Sequence, residues 1–364
     1  MVVYLAMVLL LPLIIGVIGL VISKGKITIK EFAVLEAAVI IIVGIGYGIS
    51  AYNSVHDVEV WSGRVVSKKK VWVPCSHSYP CNPYNCGTAK QPMTCWHTCY
   101  YHTNDWDWDV YTSNGEVITI DRVDSRGSDE PPRWTAVKIG EPTAQTHSFV
   151  NYIKGNSSTV LRKTGTKGSF PGMIPEYPNK VYDYYHVDRF VSVGVAEPAA
   201  REWNRMLGEI NADLGQKKKL NIVVVAAKTA DPNYRYAIEE EWIGGKKNDL
   251  LVILGVPNYP KIEWVDVISW SKAENLKVEL RDSLLAIGSM EKREVIGQAI
   301  RGLSDESFVH RSMKEFEYLA ASTQPGTGWT IALFIIGVLT SVGLAVFFWI
   351  QDPFGSRPWR YSDY

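Results

Sequence analysis

Hydrophobic and polar positions are distributed very unevenly along this chain. Residues 2–22, 32–52 and 329–350 are apolar almost without interruption, and the only charged side chain among them is Glu36. Each run reaches the ~20 residues a helix needs to cross hydrocarbon. The pattern predicts three transmembrane helices: a helical hairpin within residues 1–52 and a single helix over 329–350. Glu36 is expected in the first turn of its helix, where a carboxylate reaches the interface. Gly44, Gly46 and Gly48 would let helices approach closely. Between these runs lies a water-exposed body, closed by a linker at 323–328.

Within the body the periodicity changes near Pro198. Before it come short alternating runs. Val58-Glu59-Val60-Trp61 and Val71-Trp72-Val73 read as strands, and Asp105-Trp106-Asp107-Trp108-Asp109-Val110-Tyr111 alternates strictly. Asn114-Gly115 then leads into Val117-Ile118-Thr119-Ile120, a hairpin signature. Residues 53–197 are therefore predicted as a Cys-rich β-domain. After Pro198, Trp203, Met206, Leu207, Ile210 and Leu214 recur at helical spacing, with Gly215 as the expected stop. Residues 220–227 are Val-rich and 250–256 apolar, as in strands buried on both faces. Tyr234, Ile238 and Trp242 mark a helix between them, ended by Gly244-Gly245. A further strand is expected over 262–270, and helices over 276–287, 292–303 and 307–321. Residues 198–322 thus read as an α/β domain, and the whole chain as a membrane-anchored α+β protein.

Lys and Arg near short loops set membrane orientation. Lys24, Lys26 and Lys30 lie between the first two apolar runs, while no charged side chain precedes the first. This places the loop in the cytoplasm and the N-terminus outside. The body is then extracytoplasmic and the tail, 351–364, cytoplasmic. Arg357 and Arg360 support the tail assignment, offset by Asp352 and Asp363. The first run is a poor cleaved signal, because it lacks a positive leader and exceeds the ~7–15 apolar residues of such signals.

The 364 residues carry 38 basic and 38 acidic side chains, so no net charge points to nucleic acid as partner. Phosphate-loop, nucleophile-elbow and His-Glu-x-x-His motifs are absent. The lysine runs 68–70 and 217–219 read as solvated faces. All five cysteines, Cys75, Cys81, Cys86, Cys95 and Cys99, fall in one window with His77, His97 and His102. Outside the cytoplasm they would form disulfides with one thiol left over. In a reducing compartment they would suggest zinc, with Cys95, His97 and Cys99 as the kernel, although the spacing matches no paired C-x-x-C site. Asp105, Asp107, Asp109 and Glu116 echo a calcium loop, but Val110 stands where that loop needs glycine. Asn156-Ser157-Ser158 is a glycosylation pattern.

Asn221-Ile222-Val223-Val224-Val225, Tyr236-Ala237, and the run Glu240-Glu241-Trp242-Ile243-Gly244-Gly245-Lys246-Lys247-Asn248-Asp249 followed by 250–254 resemble the TPM domain. In that family a strand leads to a helix ending in Trp-x-x-Gly, then Lys- and Gly-rich residues and an apolar strand. The resemblance covers about 198–322 and departs where the family carries a Gly-rich Val-Gly-Tyr-Gly element. Here Pro257-Asn258-Tyr259-Pro260 stands instead. It implies a lumenal or extracytoplasmic domain beside a membrane anchor, with roles ranging from complex assembly to phosphatase activity and calcium binding. No family catalytic residue maps onto these positions. Asp231, Asp249 and Asp266 are candidates because they lie at element ends, where α/β ligands bind and where caps and turns also place aspartates. The leading expectation is a non-enzymatic, membrane-tethered interaction or assembly protein that contacts the bilayer and another membrane or extracytoplasmic protein. The alternatives are a metal-dependent hydrolase of the phosphatase type and a Cys/His metal-binding module.

Overall fold

The computed structural model describes residues 2–354 apart from Gly25, Gln324 and Asp352; the tail charges Asp352, Arg357, Arg360 and Asp363 lie outside the described residues. The elements run α1 (Val2–Ile22), α2 (Ile29–Val55), β1 (His56–Val73), β2 (Ser78–Asn85), β3 (Thr94–Tyr100), β4 (Asp105–Thr112), β5 (Val117–Ile120), α3 (Pro132–Ala136), β6 (Pro142–Val150), β7 (Phe190–Val193), α4 (Ala200–Lys218), β8 (Asn221–Ala227), α5 (Tyr234–Glu241), β9 (Asp249–Gly255), β10 (Trp264–Ser269), α6 (Glu274–Ile287), α7 (Arg293–Ser307) and α8 (Thr327–Gln351). This mixed α+β chain forms two compact units. One lies within Met1–Asp57, Ser148–Lys163 and Ser312–Tyr364, the other within Val58–His147 and Thr164–Arg311.

The first unit is helical. Two stretches, Ile29–Val55 and Met313–Gln351, are long and apolar enough to cross a membrane, and Val8–Ile22 is a shorter apolar helix. Leu35, Val39, Val43 and Tyr47 recur every fourth residue on α2 and bury a stripe with Val8, Leu333 and Phe348. A Cβ on Gly46 would collide with the Leu333 side chain, so glycine lets α2 and α8 approach there; Gly44 and Gly48 face open space. Helix α2 starts earlier than the apolar pattern predicts, because Thr28 and Glu31 form a capping box. Glu36 therefore sits in the second turn rather than the first. It is buried opposite Gly16, and its Oε1 has no hydrogen-bond partner. Asn156 of the glycosylation pattern is buried too, with its amide nitrogen 2.6 Å from Ser322 Oγ.

The second unit holds two four-stranded sheets and a separate two-stranded hairpin. The first sheet runs β5-β4-β1-β6. The β4–β5 turn is the predicted Asn-Gly hairpin, with Gly115 at φ +89°. The alternation in β4 buries Trp108 and Val110 with Val65, Ile118 and Ile120, and turns the aspartates the other way. Lys68 and Lys70 are not merely solvated: their ammonium groups lie 4.2 Å from the Trp134 ring and 4.6 Å from the Trp108 ring.

The second sheet runs β10-β9-β8-β7, with β7, β8 and β9 parallel and β10 antiparallel to β9. Strand β7, which lies ahead of the composition change at Pro198, belongs to this sheet. Every residue of β8 and β9 is buried, and their side chains alternate between two cores. Ile222, Val224, Leu250, Val252 and Leu254 meet α4, α6 and α7 through Trp203, Leu207, Leu280 and Ile300. Val223, Val225, Leu251 and Ile253 meet Tyr234, Ile238 and Trp242 of α5 and its cap.

Two further boundaries differ from the pattern. Helix α4 runs through Gly215 and ends at Lys219, which takes the left-handed conformation. A Cβ at Gly215 would lie 2.8 Å from the Ser62 carbonyl oxygen, so this glycine serves the approach of α4 to β1 rather than a helix stop. The helix expected over 307–321 is replaced by a 3-10 segment, Met313–Ser322. Helix α7 stops because Phe308 turns into the core and the Val309 amide and carbonyl both bond Ser271 Oγ.

Candidate functional site

Strands β2 and β3 form a hairpin that buries almost nothing of its own. Two disulfides staple it instead: Cys81–Cys99, with Cα atoms 5.8 Å apart, and Cys86–Cys95, 5.7 Å apart. Small loop-rich segments without a core depend on such cross-links. Beyond the Cys86–Cys95 bond the chain turns through Thr88 and Gln91, which exchange backbone hydrogen bonds. Around the staples, Tyr84 (45%), Met93 (59%), Trp96 (56%), Tyr100 (58%) and Tyr101 (70%) stand exposed.

The pairing takes four of the five cysteines and leaves Cys75 free and buried. Cys95, His97 and Cys99 therefore do not form a zinc kernel. The two cysteines of β3 are bonded to Cys81 of β2 and to Cys86 just after it, which consumes both sulfurs, and His97 packs on Tyr84 with ring centroids 4.6 Å apart.

A different set of ligand-type residues meets at the base of the hairpin. Cys75 and His77 precede β2; His102 follows β3, and Asp105 opens β4. One ligand atom from each of these four lies within 4.8 Å of the other three. Cys75 Sγ is 3.6 Å from His102 Nε2 and 3.9 Å from His77 Nδ1. Asp105 is fully buried, and its Oδ2 lies 3.0 Å from Arg122 Nη1 and 3.6 Å from His77 Nδ1. Oδ1 has no hydrogen bond, although His102 Nδ1 is 2.8 Å away, because that ring nitrogen is directed at the Asn104 carbonyl at 3.1 Å. Burial works against the Asp105 charge, but Arg122, His102 and the Ser76 amide hold its carboxyl below the ordinary range. Asp107 pairs with Arg122 at 2.7 Å, and Asp109 accepts from Thr119 at 2.7 Å. The three aspartates thus stand along one strand, each with its own side-chain partner, and not around a calcium loop.

The three aspartates named for the α/β half do not converge. Asp249 opens β9 at the amino edge of the parallel strands, opposite Asn221, whereas Asp231 follows β8 beyond the carboxyl edge. Asp231 Oδ1 accepts from the Asn233 amide at 2.9 Å in a turn. Asp266 lies mid-strand in β10 and pairs with Arg235 at 3.2 Å. Asp249 is wholly buried. It accepts from the Lys246 amide at 2.6 Å, from Asn221 Nδ2 at 2.9 Å and from the Tyr177 hydroxyl at 2.9 Å. Burial pushes its carboxyl up to about 6 against those three donors. Asn221 in turn accepts from the buried Arg189 Nε at 3.0 Å, and Arg189 Nη2 donates to Ser62 Oγ of β1 at 2.6 Å. Burial draws Arg189 down to about 10. This chain of polar groups joins the two large sheets.

The carboxyl edge carries a shallow cleft of 330 Å3 lined by Gly194, Lys228, Pro257, Asn258 and Tyr259, and none of the three aspartates lines it. A larger cleft, 580 Å3, lies along α4 beside Tyr182, Tyr185, His186 and Arg189. It mixes Arg201 and Arg205 with Asp188 and Glu209 and selects no ligand charge. No family model, curated protein or solved structure matches this chain.

Proposed function

We propose that this chain is a membrane-tethered interaction or assembly protein whose body lies outside the cytoplasm and docks a protein partner through the β2–β3 hairpin. One observation carries the reading: large aromatic side chains and a methionine stand exposed on a hairpin already held rigid by two disulfides. Trp, Tyr and Met are enriched at protein interfaces, and a pre-ordered segment loses little entropy on binding. The disulfides favour an oxidising compartment. In this reading the three apolar helices anchor the chain, with the lysine-bearing 23–31 loop inside and the N-terminus outside. The TPM-like α/β half acts as a scaffold rather than a hydrolase, consistent with the burial of Asp249 and the ion pair of Asp266.

A photoreactive amino acid at Trp96 or Tyr100 of the full chain in its own membrane tests this. One discrete protein adduct is expected from both positions and none from Val278, an exposed residue of α6. No adduct, or the same adducts from all three positions, overturns the docking surface. Digestion of the body by protease added outside intact cells tests the orientation separately.

A further inference from the structure

Two disulfides cross-link the paired strands, Cys86–Cys95 near the tip and Cys81–Cys99 toward the other end, and none joins the segments that lead into and out of the hairpin. Four residues of metal-ligand chemistry meet there, two on each leg. We propose that Cys75, His77, His102 and Asp105 form a zinc site that closes the base as a third cross-link. The site is independent of whether the hairpin docks a partner.

Three observations carry this. The first is distance. In a tetrahedral zinc site with Zn–S about 2.3 Å and Zn–N about 2.0 Å, sulfur and nitrogen ligands lie about 3.5 Å apart. Cys75 Sγ lies 3.6 and 3.9 Å from the two imidazole nitrogens. The second is orientation. His102 directs Nδ1 at the Asn104 carbonyl, which turns Nε2 toward the sulfur, the arrangement that fixes metal-bound histidines. The third is an unmet demand. Asp105 is fully buried, Arg122 satisfies Oδ2, and Oδ1 makes no hydrogen bond, although His102 Nδ1 lies 2.8 Å away. Buried carboxylate oxygens are costly without a partner, and a cation supplies one. The odd cysteine fits as well. The other four cysteines are paired with one another, so this buried thiol has no cysteine to bond, and coordination gives its sulfur a role.

Thiolate, imidazole and carboxylate together select zinc over magnesium or calcium, which take oxygen ligands. Four protein ligands make the site structural rather than catalytic. Its role is to tie the two legs to the start of β4 and so fix the direction in which the aromatic hairpin projects from the first sheet.

The test uses the full chain, expressed with its disulfides formed, purified in detergent and given zinc or cobalt alone before gel filtration. One metal per chain is expected by elemental analysis. The cobalt form should show a sulfur-to-cobalt charge-transfer band. Maleimide should reach Cys75 slowly with zinc bound and quickly after chelation. Cys75→Ser should abolish the band. Both Cys75→Ser and His77→Gln should weaken zinc binding by at least about 100-fold, since losses outside the ligand sphere alone reach that. His77 is 43% exposed at its side chain, so its replacement tests the site with little disturbance to packing. His97→Gln should change nothing. The proposal falls if the oxidised wild-type chain retains no metal, if Cys75→Ser and His77→Gln retain it fully, or if Cys75 links two chains through a disulfide.

Discussion

The sheet β10-β9-β8-β7 and the hairpin β2–β3 are held together in opposite ways. In the sheet, β8 and β9 bury every residue, and alternate side chains feed two cores. In the hairpin, most positions are exposed and the ladder is locked by cystines. The sheet derives its order from desolvation, which is non-directional and spread over dozens of side chains. The hairpin derives its order from covalent bonds and so can leave aromatic residues in water. A segment that must keep apolar side chains available for a partner cannot also bury them, and cross-links remove that conflict.

Trp203 is 0% exposed and stacked on Phe190. Trp203→Ala should cost about 3–5 kcal/mol in denaturant unfolding and lower protection across β8 and β9, while the hairpin disulfides still form. Unchanged stability would mean that the α4 face is not the main core. Next in size is the double change Cys81→Ala with Cys99→Ala. Loss of a cross-link of this span should cost the hairpin about 2–4 kcal/mol. Hydrogen exchange should rise sharply in β2 and β3 and stay low in β8 and β9. Equal acceleration in both regions would show that the hairpin is not energetically separate.

Asp249 titrates near 6 in the fold, above the ~3.9 of an exposed aspartate. A carboxyl with a raised value favours the fold in its protonated form. That contribution is complete below about pH 4 and is lost as pH rises through about 6. Stability should therefore fall by about 1–3 kcal/mol across that window, and Asp249→Asn should flatten this part of the profile. The hairpin, without a buried carboxyl between its strands, should not follow it. A profile with the same slope in Asp249→Asn and wild type would remove Asp249 as the cause.

Much of the second sheet was legible in the chain. Runs such as 222–227 are apolar at every position, as a strand covered on both faces requires, and Trp203, Leu207, Ile210 and Leu214 mark one helix face. The Asn114-Gly115 hairpin was legible because its turn needs a positive φ that glycine supplies. The site was less so. Proximity in sequence favoured Cys95, His97 and Cys99, yet their strand turns both sulfurs toward β2. Cys75 and His102, 27 residues apart, meet only because the hairpin brings its legs together. Two His- or Asp-bearing pairs flanking a cystine-rich segment, Cys75-x-His77 and His102-x-x-Asp105, were the available signal.

Local pattern, then, determined by itself where this chain is apolar enough for lipid, where it forms strands and helices, and that five cysteines leave one unpaired. Those properties depend on spacing over a few residues, which the sequence states directly. Tertiary structure alone decided which thiol is left over, that Gly215 admits the backbone of β1, that Asp249 is sealed behind Tyr177 and Asn221, and that a thiol, two imidazoles and a carboxylate share one small volume. These depend on contacts between distant residues, and no local period encodes such distances.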